Sequence, residues 1–384
     1  MSYKLKIHHK ALKVLSPLFI FDEDAILKSV KILHLIKRQT NCKILFAVKS
    51  CALPELLEIV GRSLDGFAAS SAFETMWIHE NSKSHHEIHL TTPALDPHYE
   101  NMAMSNATHI SFNSIHQYQK YAPARKVHHF HPQIRINPLL SFVKDDRYNP
   151  CAAGSKLGVS LHDLIVNFNS LDGLQGIHLH TNCDCTDLKP LLQLVDFLDG
   201  NIPDILKRVH EINLGGGYIF TGSTDLLPLY EAIEFLQNKY ALIVTIEPGA
   251  SISRSAAFLK VTVLDLFQSS GMNVAIIDTS VNALPEVFEY QYKHELAEES
   301  IDGKYVYSIC GMTCLAGDRF GSYCFNGPLK IGDQLTFTNC GCYSLVKAHM
   351  FNGVNLPAIY FKDHEGQIRL VKEYNYNDWK MRWQ

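Results

Sequence analysis

Lys43-Ile44-Leu45-Phe46-Ala47-Val48-Lys49 is followed, four residues later, by Pro54-Glu55-Leu56-Leu57-Glu58-Ile59-Val60-Gly61. The first run is continuously apolar until its lysine, as a strand buried on both faces would be. The second has helical spacing, and its proline suits a first helical turn, where no backbone N–H is required. Together they form one strand–helix unit. Working outward, the same unit recurs. Strands are predicted at Asp65–Ala68, Glu87–Thr91, Thr108–Phe112, Phe130–Ile136, Gln175–His180, His210–Leu214 and Leu242–Ile246. Amphipathic stretches such as Ser71–Glu80, Asp187–Leu198 and Leu226–Lys239 lie between them. Eight such units in about 230 residues predict an α/β fold, a (β/α)8 barrel.

After Gly249 the texture changes. Phe258–Phe267, Val274–Asp278, Tyr305–Cys310, Gln334–Phe337 and Ala358–Phe361 read as strands separated by Gly, Asn and Asp turns. The expected organisation is a barrel over 17–252 and a C-terminal β domain over 253–384, joined by residues 1–16. A doubly wound sheet would not explain eight units followed by a long all-β tail.

Composition narrows the function. Of 384 residues, 46% are hydrophobic and 19% charged, which suits a folded core and argues against disorder. A net charge of −4 gives no broad basic face for a nucleic-acid polymer. No apolar run reaches the roughly 18 residues needed to span a bilayer. The start, Met1-Ser2-Tyr3-Lys4, lacks the apolar core of a signal peptide. A cytoplasmic protein with reduced thiols is expected.

The 10 cysteines and 20 histidines raise the question of a metal. No paired CxxC framework exists, and His178-x-His180-x-x-Cys183-x-Cys185 is the nearest approach to one. In a strand, His178 and His180 share one face, which a barrel interior explains without an ion. His85, His86, His128, His129 and His131 read as surface or strand-edge residues. No metal centre is expected.

Chemistry gathers at the strand ends, where barrel enzymes build their sites. Lys49 closes the first strand and could act as a nucleophile toward an aldehyde, its pKa lowered by desolvation; the plain alternative is a solvated strand end. Gly215-Gly216-Gly217 closes the seventh and could let backbone N–H groups approach a phosphate; the alternative is a simple turn. The G-x-G-x-x-G dinucleotide spacing is absent. Glu247 closes the eighth, and a carboxylate buried in the barrel mouth calls for a cationic partner. Lysine for an aldehyde, glycines for a phosphate and a carboxylate for a pyridine nitrogen fit one cofactor, pyridoxal 5′-phosphate (PLP).

The set resembles the alanine-racemase-fold decarboxylases, which include ornithine, arginine and diaminopimelate decarboxylases. Cys310-Gly311-Met312-Thr313-Cys314-Leu315-Ala316-Gly317-Asp318 is similar to their G-x-T-C segment. Gly341-Cys342-Tyr343 with Phe351-Asn352-Gly353 resembles their closing motif. Arg135-Ile136-Asn137-Pro138, Tyr148-Asn149-Pro150-Cys151-Ala152-Ala153-Gly154-Ser155-Lys156-Leu157-Gly158 and Thr313–Asp318 are similar to the carboxynorspermidine decarboxylase subfamily. The resemblance covers nearly the whole chain.

It implies that Lys49 holds the cofactor aldehyde and that His180 stacks on the pyridine ring. It implies that Gly215, Gly216, Gly217 and Tyr343 bind phosphate, and that Glu247 pairs with the ring nitrogen. Cys314, from the second subunit of a homodimer, would return a proton to the substrate carbon. The alternatives are a buried thiol for Cys314 and a core aromatic for Tyr343. Glu247 argues against an amino-acid racemase, which is expected to carry arginine there. The β tail and Cys314 argue against a non-catalytic single-barrel PLP protein.

The sequence also departs from the subfamily. E-P-G-E-A becomes Glu247-Pro248-Gly249-Ala250-Ser251, and H-M-P-D-V-L-E-M-P-Y becomes Ala283-Leu284-Pro285-Glu286-Val287-Phe288-Glu289-Tyr290-Gln291-Tyr292. Cofactor positions survive while a substrate acid is lost. Glu286 and Asp318 remain to bind a substrate cation. The expected reaction removes the carboxylate of a terminal 3-amino-3-carboxypropyl group, as in carboxynorspermidine or carboxyspermidine. The alternative is the same headgroup on another carrier, such as the peptide-nucleotide of a microcin C maturation-type decarboxylase.

Overall fold

The computed structural model describes residues 6–7, 16–82, 86–143 and 145–384. The chain divides into two compact units, Lys28–Ser251 and a second built from Met1–Leu27 with Ile252–Gln384.

In the first unit eight parallel strands close into a barrel: Lys43–Ala47, Gly66–Ala69, Glu87–Thr91, His109–Phe112, His131–Asn137, Gly176–His178, Glu211–Asn213 and Ile243–Ile246. Closure occurs where Thr245 and Ile246 pair with Lys43 and Ile44. All eight strands lie at the predicted places: Lys43–Ala47 has the continuous apolar run of two-sided burial, while strands such as Glu87–Thr91, His131–Asn137 and Glu211–Asn213 alternate apolar residues with polar ones. Ile44, Leu45 and Phe46 are wholly buried. Each such side chain contributes about 1.5–3 kcal/mol through its removal from water.

Helix starts follow local chemistry. Pro54 and Pro190 both occupy first helical turns. Ser71, Ser114 and Ser160 accept backbone hydrogen bonds as N-caps, at Glu74, Gln117 and Asp163. Replacing such a cap with alanine costs about 1 kcal/mol.

The second unit is a nine-stranded sheet. Ala257–Ser269 is its long central strand, with Met272–Ile277, Tyr305–Cys310 and Arg319–Phe325 stepping away on one side. Leu18–Asp22, Ala358–Lys362, Ile368–Lys372 and Lys6–Ile7 follow on the other, and Gln334–Phe337 also pairs with the central strand.

One boundary differs from expectation. Leu18–Asp22 fell inside the expected barrel, yet it pairs with Ala257–Lys260 and Ala358–Lys362 of the sheet. Its four leading residues, Leu18 to Phe21, are buried there. The division therefore falls within the helix Glu23–Thr40, not before residue 17. Lys6–Ile7 does join the sheet, against Ile368 and Arg369, while the rest of 1–15 lies outside the described residues. Arg319–Phe325 was not predicted, because Gly321 at φ +137° and its polar neighbours interrupt the apolar alternation. Among the described residues, no helix is long and apolar enough to cross a membrane.

Candidate active site

Barrel closure gathers the predicted strand-end residues. Lys49 lies in the single 3-10 turn Val48–Ser50 that follows the first strand. That turn is held by Ser50 Oγ donating to Ala47 O at 2.9 Å. The Ala47 N–H donates to Pro248 O at 3.1 Å, which ties the lysine turn to the residue after Glu247. Lys49, Arg135, His178, His180 and Glu247 all line one cavity of about 330 Å³. That volume is at the small end of ligand sites, about 300–1,000 Å³.

Lys49 is exposed to the cavity but walled in by protein. Desolvation therefore lowers its pKa from the usual range, with Arg135 adding and Glu247 opposing. A larger fraction of its amine is unprotonated than in water, as a nucleophile toward an aldehyde requires.

Glu247 follows the eighth strand and is 8% exposed. Burial alone would raise its pKa. The nearby His178 and His89 rings and the Asn213 amide outweigh burial and hold it at about 2. Asn213 Nδ2 donates to Glu247 Oε1 at 2.7 Å, and His178 Nε2 lies 3.7 Å from Oε2. Neither ring nitrogen of the buried His178 has a hydrogen-bond partner. Glu247 is thus an ionised carboxylate held by the Asn213 amide, with the His178 ring close by and room in its field for a cationic ring nitrogen.

The glycines act chiefly by shape. A Cβ on Gly217 would lie 2.0 Å from Asn182 O, and one on Gly215 would lie 2.2 Å from Leu179 O. Both residues have positive φ. The Gly215 N–H donates to Asn213 Oδ1 at 2.8 Å, and the Gly216 N–H donates to His180 Nδ1 at 3.1 Å. Those two amides are hydrogen-bonded within the protein. The turn fixes the His180 ring. Its pKa is pushed well below 6.5, by burial first and then by the Lys49 and Arg135 charges. A neutral ring whose Nδ1 accepts carries its proton on Nε2.

The chemistry of this donor set fits PLP: an activated lysine, a buried ionised carboxylate and an oriented neutral ring in one cavity. The predicted metal-like run His178–Cys185 does not converge. His180 is bound to Gly216, and Cys185 Sγ donates to Asp187 O at 2.9 Å.

The remaining expected residues belong to the sheet unit. Cys314 is exposed, and its N–H donates to Asn352 Oδ1 at 2.9 Å. Tyr343 is partly buried with φ +51°. Glu286 opens the helix Glu286–Tyr290, 4.0 Å from Lys347 Nζ. Asp318, expected to face a substrate cation, is 4% exposed. Its carboxylate accepts from Val281 N at 2.8 Å and from Thr313 N at 3.0 Å, and also from the Thr313 hydroxyl. Burial without those bonds would be costly, so Asp318 is turned into its own loop and organises the segment that carries Cys314.

Sequence reasoning assigned no role to Asn213, Arg135 or the His178–Glu247 contact. The available signal was the polar alternation Gln133, Arg135, Asn137 in one strand and His178, His180 in another, which marks an interior lined for a ligand.

Residues 18–341 match the family model described as "pyridoxal-dependent decarboxylase, C-terminal sheet domain". The chain belongs to that family: it is a PLP-dependent decarboxylase of the alanine racemase fold. It is 30% identical over 366 residues to a carboxynorspermidine/carboxyspermidine decarboxylase of Herminiimonas arsenicoxydans, covering 95% of this chain and 98% of that one. It is 32% identical to a carboxyaminopropylagmatine decarboxylase of Synechocystis sp., covering 96% and 95%. The crystal structure of carboxynorspermidine decarboxylase from Campylobacter jejuni, complexed with norspermidine, superposes with a TM-score of 0.86 at 27% identity, covering 96% and 100%.

Proposed function

We propose that this enzyme removes the carboxylate of a terminal 3-amino-3-carboxypropyl group carried on a polyamine, as in carboxynorspermidine and carboxyspermidine. The observation that carries this reading is the near-complete alignment with decarboxylases of those two compounds. The Synechocystis relative supports a broader form of it, since its name specifies the same carboxyaminopropyl head on agmatine. Absence of an acid at Ala250 favours a second reading, in which the head is joined to a carrier bearing phosphate, such as a peptide-nucleotide.

When bound, PLP accepts the electron pair left as carbon dioxide departs. The chain's own residues do the rest. Lys49 would hold the cofactor aldehyde. Glu247 keeps a proton on the ring nitrogen, and His180 supports one ring face. The Gly215–Gly217 turn and Tyr343 would bind the phosphate. Cys314, supplied by the second subunit of a homodimer, gives one proton to the substrate carbon, so carboxylate is replaced by hydrogen. Glu286 binds a distal ammonium of the substrate. None of the ten cysteines forms a disulfide, which suits a reducing cytoplasm.

Release of carbon dioxide from carboxynorspermidine, carboxyspermidine, carboxyaminopropylagmatine and an aminocarboxypropyl nucleotide, measured side by side, tests the substrate. Activity on the polyamines is expected to dominate. Dominant activity on the nucleotide would establish the second reading, and inactivity on all four would overturn both. Loss of the cofactor absorbance band in Lys49→Ala is the parallel test of the lysine.

A further inference from the structure

The opposite, N-terminal end of the barrel carries a second polar cluster. Glu87, His109, His131 and Glu211 are the first residues of four barrel strands, so they meet at one level. His131 read from the sequence as a surface histidine without a carboxylate. The barrel brings it Glu211, 80 residues away in the chain, with His131 Nδ1 3.7 Å from Glu211 Oε1. His109 Nε2 lies 3.3 Å from Glu211 Oε2. All three donor atoms fall within 4.8 Å of one another.

Hydrogen bonding leaves a gap at their centre. Thr108 Oγ1 accepts from Ile88 N–H at 2.8 Å and donates to Ile88 O at 3.1 Å. With the hydroxyl proton on Ile88 O, its 2.9 Å contact with His109 Nδ1 is one in which that nitrogen donates. The other nitrogen, Nε2, is left with a lone pair aimed at a carboxylate, buried and without a hydrogen-bond partner. His109 and Glu211 are only 4% and 7% exposed. Two electron-rich groups facing each other out of water are stabilised by a cation between them, either a proton or a metal ion.

We propose that His109, His131 and Glu211 bind a divalent transition metal, with zinc the best match, at the base of the barrel. Ligands about 2.1 Å from a tetrahedral ion lie about 3.4 Å apart. His109 Nε2 lies 3.3 Å from Glu211 Oε2 and His131 Nδ1 lies 3.7 Å from Oε1, so each ring nitrogen faces its own carboxylate oxygen at close to that spacing. Two nitrogens and an oxygen are a zinc ligand set. The second shell is also present. His109 Nδ1–H is fixed by Thr108, and Gln133 Nε2 donates to Glu211 Oε2 at 2.8 Å. Gly176 leaves the space for that contact, since a Cβ there would lie 3.2 Å from Gln133 Nε2. His131 is about half exposed, giving the ion an entry path and leaving a fourth position for water.

A competing set, Glu87–His89–His109, shares His109. Glu87 is already paired with Lys43 at 2.5 Å, which reduces its value as a ligand. The ion would link the strands that begin at His109, His131 and Glu211 and so act on stability, remote from the catalytic end.

The test uses PLP-loaded enzyme stripped with a chelator and titrated with zinc sulfate by calorimetry, alongside thermal melting. One zinc per chain and a rise in Tm are expected for the wild type. His131→Ala, at a half-exposed site that tolerates truncation, is expected to weaken zinc binding at least about tenfold and abolish the Tm rise, with decarboxylation unchanged. Glu211→Gln should do the same. Absence of zinc binding at micromolar concentrations overturns the proposal. So does zinc binding that survives His131→Ala, or that depends on His89 and Glu87 and not on His131.

Discussion

Asn213 and Glu247 are joined by a 2.7 Å hydrogen bond in which the amide Nδ2 donates to the carboxylate, while the same amide's Oδ1 accepts from Gly215 N–H. One side chain thus sets both the glycine turn and the Glu247 carboxylate of the cavity. Asn213→Asp should keep the turn contact but place a second negative charge beside Glu247. The expected result is a folded protein with decarboxylation reduced at least about tenfold, since like charge raises the pKa of one carboxyl of the pair. Asn213→Ala should instead cost about 1–3 kcal/mol, because two buried groups lose their partner. Denaturant melts and steady-state rates separate the two effects.

Gly217 tolerates no side chain. Gly217→Ala combines positive φ with a Cβ 2.0 Å from Asn182 O. It should destabilise the barrel by roughly 2 kcal/mol or more and lower cofactor retention. Gly222→Ala is the control, since a Cβ there meets nothing within 4 Å. A Gly217→Ala protein that melts with the wild type would refute the close packing.

Asp318 acts on Cys314 through the loop. Asp318→Asn puts an amide where Thr313 N–H and its hydroxyl now donate. The expected outcome is a lower kcat with cofactor absorbance retained, together with altered alkylation of Cys314. Cys314→Ala should lower kcat by about 10²–10⁴, the usual range for a lost general acid, with little change in KM. Equal losses of cofactor binding in both variants would contradict these roles.

Stability should fall in two acid steps. His294 is buried, and its pKa is lowered from 6.5 to about 4, by desolvation first and then by Arg254. The unfolded chain takes up this proton first, so stability present above pH 6.5 is lost as pH falls toward 4. That histidine accounts for about 3 kcal/mol at most. Glu247, held at about 2 against an ordinary 4.5, contributes stability above pH 4.5 that is lost as pH falls toward 2. Urea melts across pH 7 to 3 should show both steps. His294→Gln should shrink the first step, to which buried His89, His178 and His180 also contribute, and leave the second.

The barrel was legible because buried parallel strands need continuous apolar runs, and Lys43–Ala47 and Ile243–Ile246 have them. Lys49 and Glu247 were legible because each interrupts such a run at its end. Leu18–Asp22 was misassigned because an apolar strand does not state which sheet it joins. Asn213 was passed over because asparagine within a strand has no local signature, and its role depends on Glu247 arriving from the next strand. The pairing of His131 with Glu211 was hidden for the same reason, the two being neighbours only across the closed barrel. The glycine triplet promised donors, and only three-dimensional packing shows that two of its amides are hydrogen-bonded within the protein.

The Ala47–Pro248 hydrogen bond has a consequence for folding order. It spans nearly the whole barrel sequence, so Lys49 and Glu247 become neighbours only after the eighth strand docks beside the first. Long-range pairings of this kind are slow to form. A nascent chain lacking that strand would bind no PLP in this manner, however well its first units had formed. Cofactor capture would therefore report the completion of the barrel, and its absorbance could time the last folding step.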